Sequence, residues 1–236
     1  MEYINSLSEF DLQIQKLKSS TNHVLYRGQR MDWPLLPSIC RGTDRGRLLE
    51  QEKELLDKFK EQSKSCLHII PENDWDWLVV AQHHGLPTRL LDLTTNAYTA
   101  LWFALEKIRE EPDSKPEVWM LRPLAKDYID DLSKHLPFLG TRTKLFDTSF
   151  KIPRVRAQKG SFALMKHLGD SKNGFIPLNK NKHLFERLDC MRINPFSASS
   201  ILDELESKGF CHSKVYPNID EVAKRVKEQV LGVSAV

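Results

Sequence analysis

The chain predicts an α+β domain, and two observations carry that expectation. Short runs of strand-forming residues, such as His23-Val24-Leu25-Tyr26 and Val118-Trp119-Met120-Leu121, alternate with longer segments whose apolar residues recur at helical spacing. Across 236 residues there is no internal repeat and no low-complexity tract, and 40% hydrophobic content suffices for one core, so a single domain is expected.

Bulk properties exclude several classes. A formal charge of +3 permits contact with nucleic acid or another polyanion without arguing for it. The four cysteines, Cys40, Cys66, Cys190 and Cys211, have no Cys-x-x-Cys spacing, which points away from disulfides and structural zinc and toward a reducing cytosol. The N-terminus lacks a basic and apolar leader, and no apolar run is long enough to span a bilayer. A cytoplasmic protein without membrane partners is therefore expected.

Ser6 and Glu9 form a capping box ahead of Phe10, Ile14 and Leu17, which predicts a first helix over 7–18, within an N-terminal segment 1–20. A strand over 23–26 then runs into Arg27-Gly28-Gln29-Arg30, where an arginine at a strand end beside glycine suits an anion; an ordinary surface arginine is the alternative. Trp33-Pro34-Leu35-Leu36-Pro37-Ser38 is a proline-pinned loop that either walls a pocket or covers the core. The stretch 41–47 is basic and Gly-rich, hence exposed. Leu48, Leu49, Leu55, Leu56 and Phe59 mark a long helix with its Glu and Lys residues on the wet face.

The stretch 75–105 departs from this ordinary pattern. Gly85 and Pro87 end an apolar helix, Asn96 caps a second over 97–108, and between them lie a turn and a short strand. Gln82, His83, His84, Thr88, Arg89, Asp92, Thr94 and Thr95 crowd there among Leu, Val, Trp and Phe, where unpaired polar groups are costly. One reading is a buried Arg89–Asp92 ion pair tying the helices together, and the other is a cluster lining a site.

Beyond the hub the pattern predicts a buried strand over 118–121, a short helix over 124–134, and a long loop, a lid in character, over 135–152. Arg154 and Arg156 sit upstream of a strand over 161–164 with Gln158 and Gly160 at its mouth; they form either a phosphate contact or a basic turn. The polar stretch 170–181 reads as a loop, 184–193 as a strand stopped by Pro195, and 197–208 as a helix ended by Gly209. An extended piece over 213–217 and a final helix from Asn218 to about Val230 complete the chain, with 231–236 as a tail.

Four separated pieces resemble the FRG domain. Tyr26-Arg27-Gly28-Gln29 matches its aromatic-Arg-Gly motif, and 82–92, from Gln82-His83-His84-Gly85 to Leu91-Asp92, matches its Gln-His-aromatic-Gly-x-Pro-Thr-Arg-Leu-Leu-Asp signature, with His84 replacing the usual Tyr. Arg154 to Phe162 and Ile201 to Val222 resemble its later segments, so an FRG-like domain is expected over 21–230. The layout of that family is similar to the ADP-ribosyltransferase fold, which implies a split mixed sheet with surrounding helices.

On that template the resemblance implies that NAD is the substrate. Arg27 holds its ribose or phosphate, 92–95 form a second motif, and Gln158 stands where a catalytic Glu is usual. Catalysis is thereby assigned to Arg27, His83, Asp92 and Gln158, and NAD binding to Tyr26, Arg27, Gly28, Gln29, Gln82, Arg89, Thr94 and Arg154. A neutral Gln158 loses the anion that steadies the ribosyl cation, so Asp92 or a histidine must supply it; His83 is the acceptor base, and His84 points elsewhere. No metal is required.

The implied activity is a toxin-like ADP-ribosyltransferase of the kind used in phage defence. Its acceptor is macromolecular, RNA or DNA slightly before protein, and an antitoxin protein neutralises it. A non-catalytic module sensing a nucleotide or phosphate ligand is the alternative from another class, and a phosphoesterase using His83 and Asp92 ranks last.

Overall fold

The computed structural model describes residues 3–21, 23–41, 48–139, 142–148, 150, 152–166, 174–217 and 226. Its strands are β1 (Leu25–Gln29), β2 (Leu90–Thr94), β3 (Glu117–Leu121), β4 (Lys144–Phe146), β5 (Gly160–Leu164) and β6 (Leu188–Arg192). They form a six-stranded sheet in the order β4-β5-β2-β1-β3-β6. The α-helices are α1 (Leu7–Ser20), α2 (Leu48–Ser63), α3 (Asp74–His83), α4 (Ala97–Leu105), α5 (Pro153–Ala157), α6 (Pro195–Ser207) and α7 (His212–Val215). The class is α+β, as expected.

The expected split, mixed sheet is corrected in two respects. The strands form one sheet, and every ladder between neighbouring strands is antiparallel. The reason lies in the order: β2 and β3 run the same way, joined through α4, but β1 lies between them and runs against both. A crossover that elsewhere makes a parallel pair here leaves none.

The sheet nonetheless opens at its centre. Ladders β1–β3 and β2–β5 each align five residue pairs, whereas β1 and β2 align only Tyr26 with Thr94. Beyond that pair the two strands diverge.

Helices cover one face in two groups. Tyr26, Val118, Met120 and Met191 pack under α1, α4 and α6 with Phe10, Leu101, Leu105 and Leu202. Leu90, Phe162, Leu164 and Phe146 pack under α3, with Trp75, Leu78 and Leu56 of α2. Strand alternation places Asp92 on this face, in register with Phe162, and Thr94 in register with Tyr26, so a polar row separates the two apolar clusters. Leu25, Leu91, Leu93, Leu121, Leu145 and Ala163 face the other way, beneath Leu35, Leu36, Phe175, Leu178 and Leu184.

Local signals account for the helix ends. Ser6 accepts from the Glu9 amide, Asn73 from that of Asp76, and Asn96 from those of Tyr98 and Thr99, supplying acceptors for amides that a helix start leaves unpaired. Gly209, at φ +82°, stops the chain after α6. Gly28 has a tertiary role: a Cβ there would lie 1.8 Å from the Ala100 carbonyl oxygen, so α4 approaches β1 closely only because that side chain is absent.

Several expectations are revised. Arg27, Gly28 and Gln29 lie inside β1, paired with Trp119, Val118 and Glu117, and not in a turn after it. The expected helix over 124–134 forms two 3₁₀ turns, Ala125–Asp127 and Leu132–Lys134. The long loop over 135–152 contains edge strand β4, whose Leu145 and Phe146 are buried against β5. Three residues carry too little periodicity to announce a strand, and pairing with β5 creates it. The expected strand over 184–193 is confined to β6, after a 3₁₀ turn at Phe185–Arg187. The extended piece at 213–217 begins as helix α7.

Of the basic stretch 41–47, residues 42–47 lie outside the described residues, as do 170–173 of the predicted loop, all of the final helix but residue 226, and the tail. Among the described residues no helix is long and apolar enough to cross a membrane.

Candidate functional site

A cavity of about 310 Å³ occupies the opening between β1 and β2, roofed where α3 and α4 separate. The polar row supplies its floor. Asp92 and Thr94 come from β2, Tyr26 and Arg27 from β1, Gln82 and His83 from the last turn of α3, and Arg154 and Gln158 from α5 and its C-terminus. Gly28 and Gln29 complete the rim on β1. The structure thus brings together every residue assigned from the sequence except Arg89.

Hydrogen bonds hold the floor. Gln82 Nε2 donates to Asp92 Oδ1 at 2.5 Å, and Thr88 Oγ1 donates to Gln82 Oε1, so Gln82 is oriented from both ends. Arg27 Nη1 donates to the main-chain carbonyl of Asp92 at 2.6 Å, bridging the opening. Gln158 Nε2 donates to the Val215 carbonyl at 3.1 Å, which ties α5 to α7, and Thr94 Oγ1 donates to the Gln158 carbonyl. The Gln158 side-chain amide is therefore engaged with the backbone.

Charges in the cavity perturb one another. The Asp92 carboxyl is exposed to the cavity but crowded by protein on all sides, and this burial raises its pKa; Arg27, Arg154 and the Gln82 hydrogen bond pull the other way without prevailing. Burial also lowers the His83 pKa, helped by His84 and Arg154, so the imidazole is neutral at physiological pH. Tyr26 and Tyr216 are pushed up by burial as well.

Among the described residues, Tyr26 Oη, Gln29 Oε1 and His83 Nδ1, buried polar atoms on the cavity residues, find no hydrogen-bond partner. Gln29 is 4% exposed and spends its Nε2 on the Trp33 carbonyl at 2.9 Å, which orients the loop after β1. Orphaned groups at this depth are rare in a folded chain, and their convergence on one cavity marks a place where a ligand or ordered water completes the bonding.

Arg89 lies elsewhere. It is 3% exposed, its Nη2 stands 2.6 Å from Glu52 Oε2, and its backbone N–H and Nε also donate to that carboxylate. The Phe138 and Phe175 rings lie 5.2 and 5.7 Å from its guanidinium. This corrects two expectations: the partner of Arg89 is Glu52, not Asp92, and Glu52 of α2 is buried at 2% exposure, not on the wet face. His84, the C-cap of α3, is exposed and does not line the cavity, as expected.

Sequence reasoning missed Glu106, Phe103 and Tyr216, which all line the cavity. Glu106 is the C-cap of α4, three residues after Phe103 and so on the same helix side, a spacing visible in the sequence. Burial raises its pKa against the opposing pull of Arg30, Lys107, His212 and Arg154. Tyr216 follows α7 and carries the Arg154 guanidinium 4.3 Å from its ring centroid. No local signal foretold that contact, because it depends on the C-terminal segment folding back over α5. Of the proline-pinned loop, both readings hold, since Trp33 lines the cavity while Leu35 and Leu36 are buried in the core.

Fold and site define an α+β protein with one antiparallel sheet and a mixed-charge cavity over its central seam. Residues 22–113 match the family model of the FRG domain. The matched segment holds Tyr26 to Gln29, Gln82 to Asp92 and Glu106, while Arg154, Gln158 and Tyr216 reach the cavity from beyond it. No curated protein and no solved structure matches the chain.

Proposed function

We propose that the chain is an NAD-dependent ADP-ribosyltransferase whose substrate occupies the β1–β2 cavity and whose acceptor is a macromolecule. One observation carries this reading: Arg27, Arg154 and the Asp92 carboxyl line a single cavity in which Tyr26, Gln29 and His83 each hold a buried polar atom that finds no partner among the described residues. Two guanidiniums suit a pyrophosphate, and a carboxylate on the floor suits the positive charge that develops on the ribose as nicotinamide departs. The bond between the ribose anomeric carbon and the nicotinamide nitrogen breaks, and its electron pair leaves with neutral nicotinamide.

Asp92 takes the anionic role for which Gln158, engaged with the Val215 carbonyl, is unsuited. Neutral His83 accepts the proton of the incoming nucleophile. Tyr216, with its ring against the Arg154 guanidinium, holds that cation at the cavity wall. The formal charge of +3 tilts the acceptor toward nucleic acid.

The test is nicotinamide release from NAD by the purified protein, alone and with cell extract, beside Arg27→Ala and Asp92→Asn. Release by the parent protein that both substitutions abolish supports the transferase. A melting-temperature shift with NAD or ADP-ribose, without any release, supports instead a non-catalytic nucleotide-sensing module, a reading favoured by the backbone engagement of Gln158. Neither release nor shift overturns the assignment of the cavity to NAD.

A further inference from the structure

A second, smaller cavity of about 120 Å³ lies at the β4 edge of the sheet, lined by Lys126, Asp127, Arg142, Thr143, Lys144 and His183. Its only carboxylate among the described residues is engaged. Asp127 is 7% exposed, receives both terminal nitrogens of Arg187 and accepts from the Leu124 amide at 2.7 Å. Although burial alone would raise the pKa of that carboxyl, Arg187 and the Leu124 amide hold it below the usual range, so it stays ionised and neutralised by Arg187.

The remaining groups are cations and donors. Lys144 Nζ donates to the Lys126 carbonyl at 2.8 Å, which pins the ammonium beside the cavity and leaves it further N–H groups. Thr143, 7% exposed, accepts from the Lys166 amide at 3.1 Å on its hydroxyl oxygen, so its own proton is available to donate. Among the described residues, none of Lys126, Arg142, Lys144 and His183 stands in an ion pair. Asp127 offsets Lys126 in part, but its carboxylate is engaged by Arg187, so the gathered cations still repel one another and a bound anion removes that repulsion.

We propose that this cavity is a phosphate-binding site, separate from the β1–β2 cavity and independent of the function assigned to it. Arg142 and the two lysines supply charge-assisted donors, and Thr143 supplies a neutral one. That set suits a tetrahedral oxyanion with several acceptor oxygens. Inorganic phosphate, a free nucleotide and a nucleic-acid backbone share this chemistry, and the experiment separates free from polymeric sources.

Amide resonances of the full chain are followed by NMR during titration with inorganic phosphate, and separately with a single-stranded RNA oligonucleotide. Saturable shifts at Thr143, Lys144 and His183 are expected with phosphate, absent with sodium chloride at equal ionic strength, and lost in Lys126→Gln/Arg142→Gln, whose dispersed spectrum reports that it is folded. The same amides moving at lower oligonucleotide concentration identify a nucleic-acid backbone as the source. Movement with phosphate alone identifies a free phosphate. No saturable shift with either titrant, or shifts that persist unchanged in the double variant, overturns the proposal.

Discussion

Arg27 donates to the main-chain carbonyl of Asp92 at 2.6 Å, across the seam where β1 and β2 share a single aligned pair. The guanidinium thus bridges strands where the regular ladder stops, while its position on the cavity rim keeps it in reach of a ligand. One side chain serves the fold and the site together.

Arg27→Ala should therefore affect both. Losing a hydrogen bond from a charged donor is expected to cost about 1.5–3 kcal/mol, measured as a fall in urea midpoint, alongside loss of nicotinamide release. Arg27→Lys keeps the charge but not the planar fork, and is expected to recover stability more than turnover. An unchanged midpoint in Arg27→Ala would show that the bridge contributes nothing to the seam.

Gly28→Ala tests the approach of α4. The new Cβ would lie 1.8 Å from the Ala100 carbonyl oxygen and 2.8 Å from the Ala104 nitrogen, both backbone atoms that cannot rotate away. Overpacking of this kind is expected to cost about 1–3 kcal/mol or more. Thermal and urea unfolding read the loss, and wild-type stability would mean that α4 shifts at no cost.

Arg89→Ala should unfold or strongly destabilise the chain, because it strands the Glu52 carboxylate at 2% exposure. Breaking a buried pair on one side costs about 3–5 kcal/mol, whereas replacing both partners by apolar residues costs less. Urea denaturation of Arg89→Ala beside Arg89→Met/Glu52→Leu distinguishes the two. Equal losses would argue that packing around Phe138 and Phe175, rather than charge, sets the penalty.

Asp92→Asn is expected to separate stability from activity. The pKa of Asp92 is higher in the folded chain than in the unfolded one, so folding favours the protonated acid. That contribution is fully present below the ordinary aspartate range and disappears as pH rises through the folded-state pKa. Near neutral pH Asp92 is therefore a net cost to folding, and Asp92→Asn should raise the melting temperature there, with the difference shrinking as pH falls into the ordinary aspartate range. Nicotinamide release should meanwhile fall. Glu106 has the same sign of shift, and Glu106→Gln is expected to behave alike in stability. A lower melting temperature for Asp92→Asn at neutral pH would mean that the Gln82 hydrogen bond outweighs burial.

The sequence by itself determined what depends on near neighbours. Asn96 caps α4 and Gly209 stops α6, because capping and left-handed stops are settled within one turn of chain. The polar hub at Gln82, His83 and Asp92 was legible as well, since polar residues amid apolar ones must find partners wherever the chain folds. Which partners they find was decided only by the tertiary structure. Arg89 pairs with Glu52 across 37 residues, β4 exists only because β5 lies beside it, and Tyr216 meets Arg154 through the return of the C-terminal segment. The seam itself belongs to this class. Placing β1 between β2 and β3 keeps those two parallel-running strands apart, and the Gly28 contact with α4 brings helix and strand together beside the Tyr26–Thr94 pair. Such pairings are selected by burial and charge between segments distant along the chain, and no local propensity encodes them.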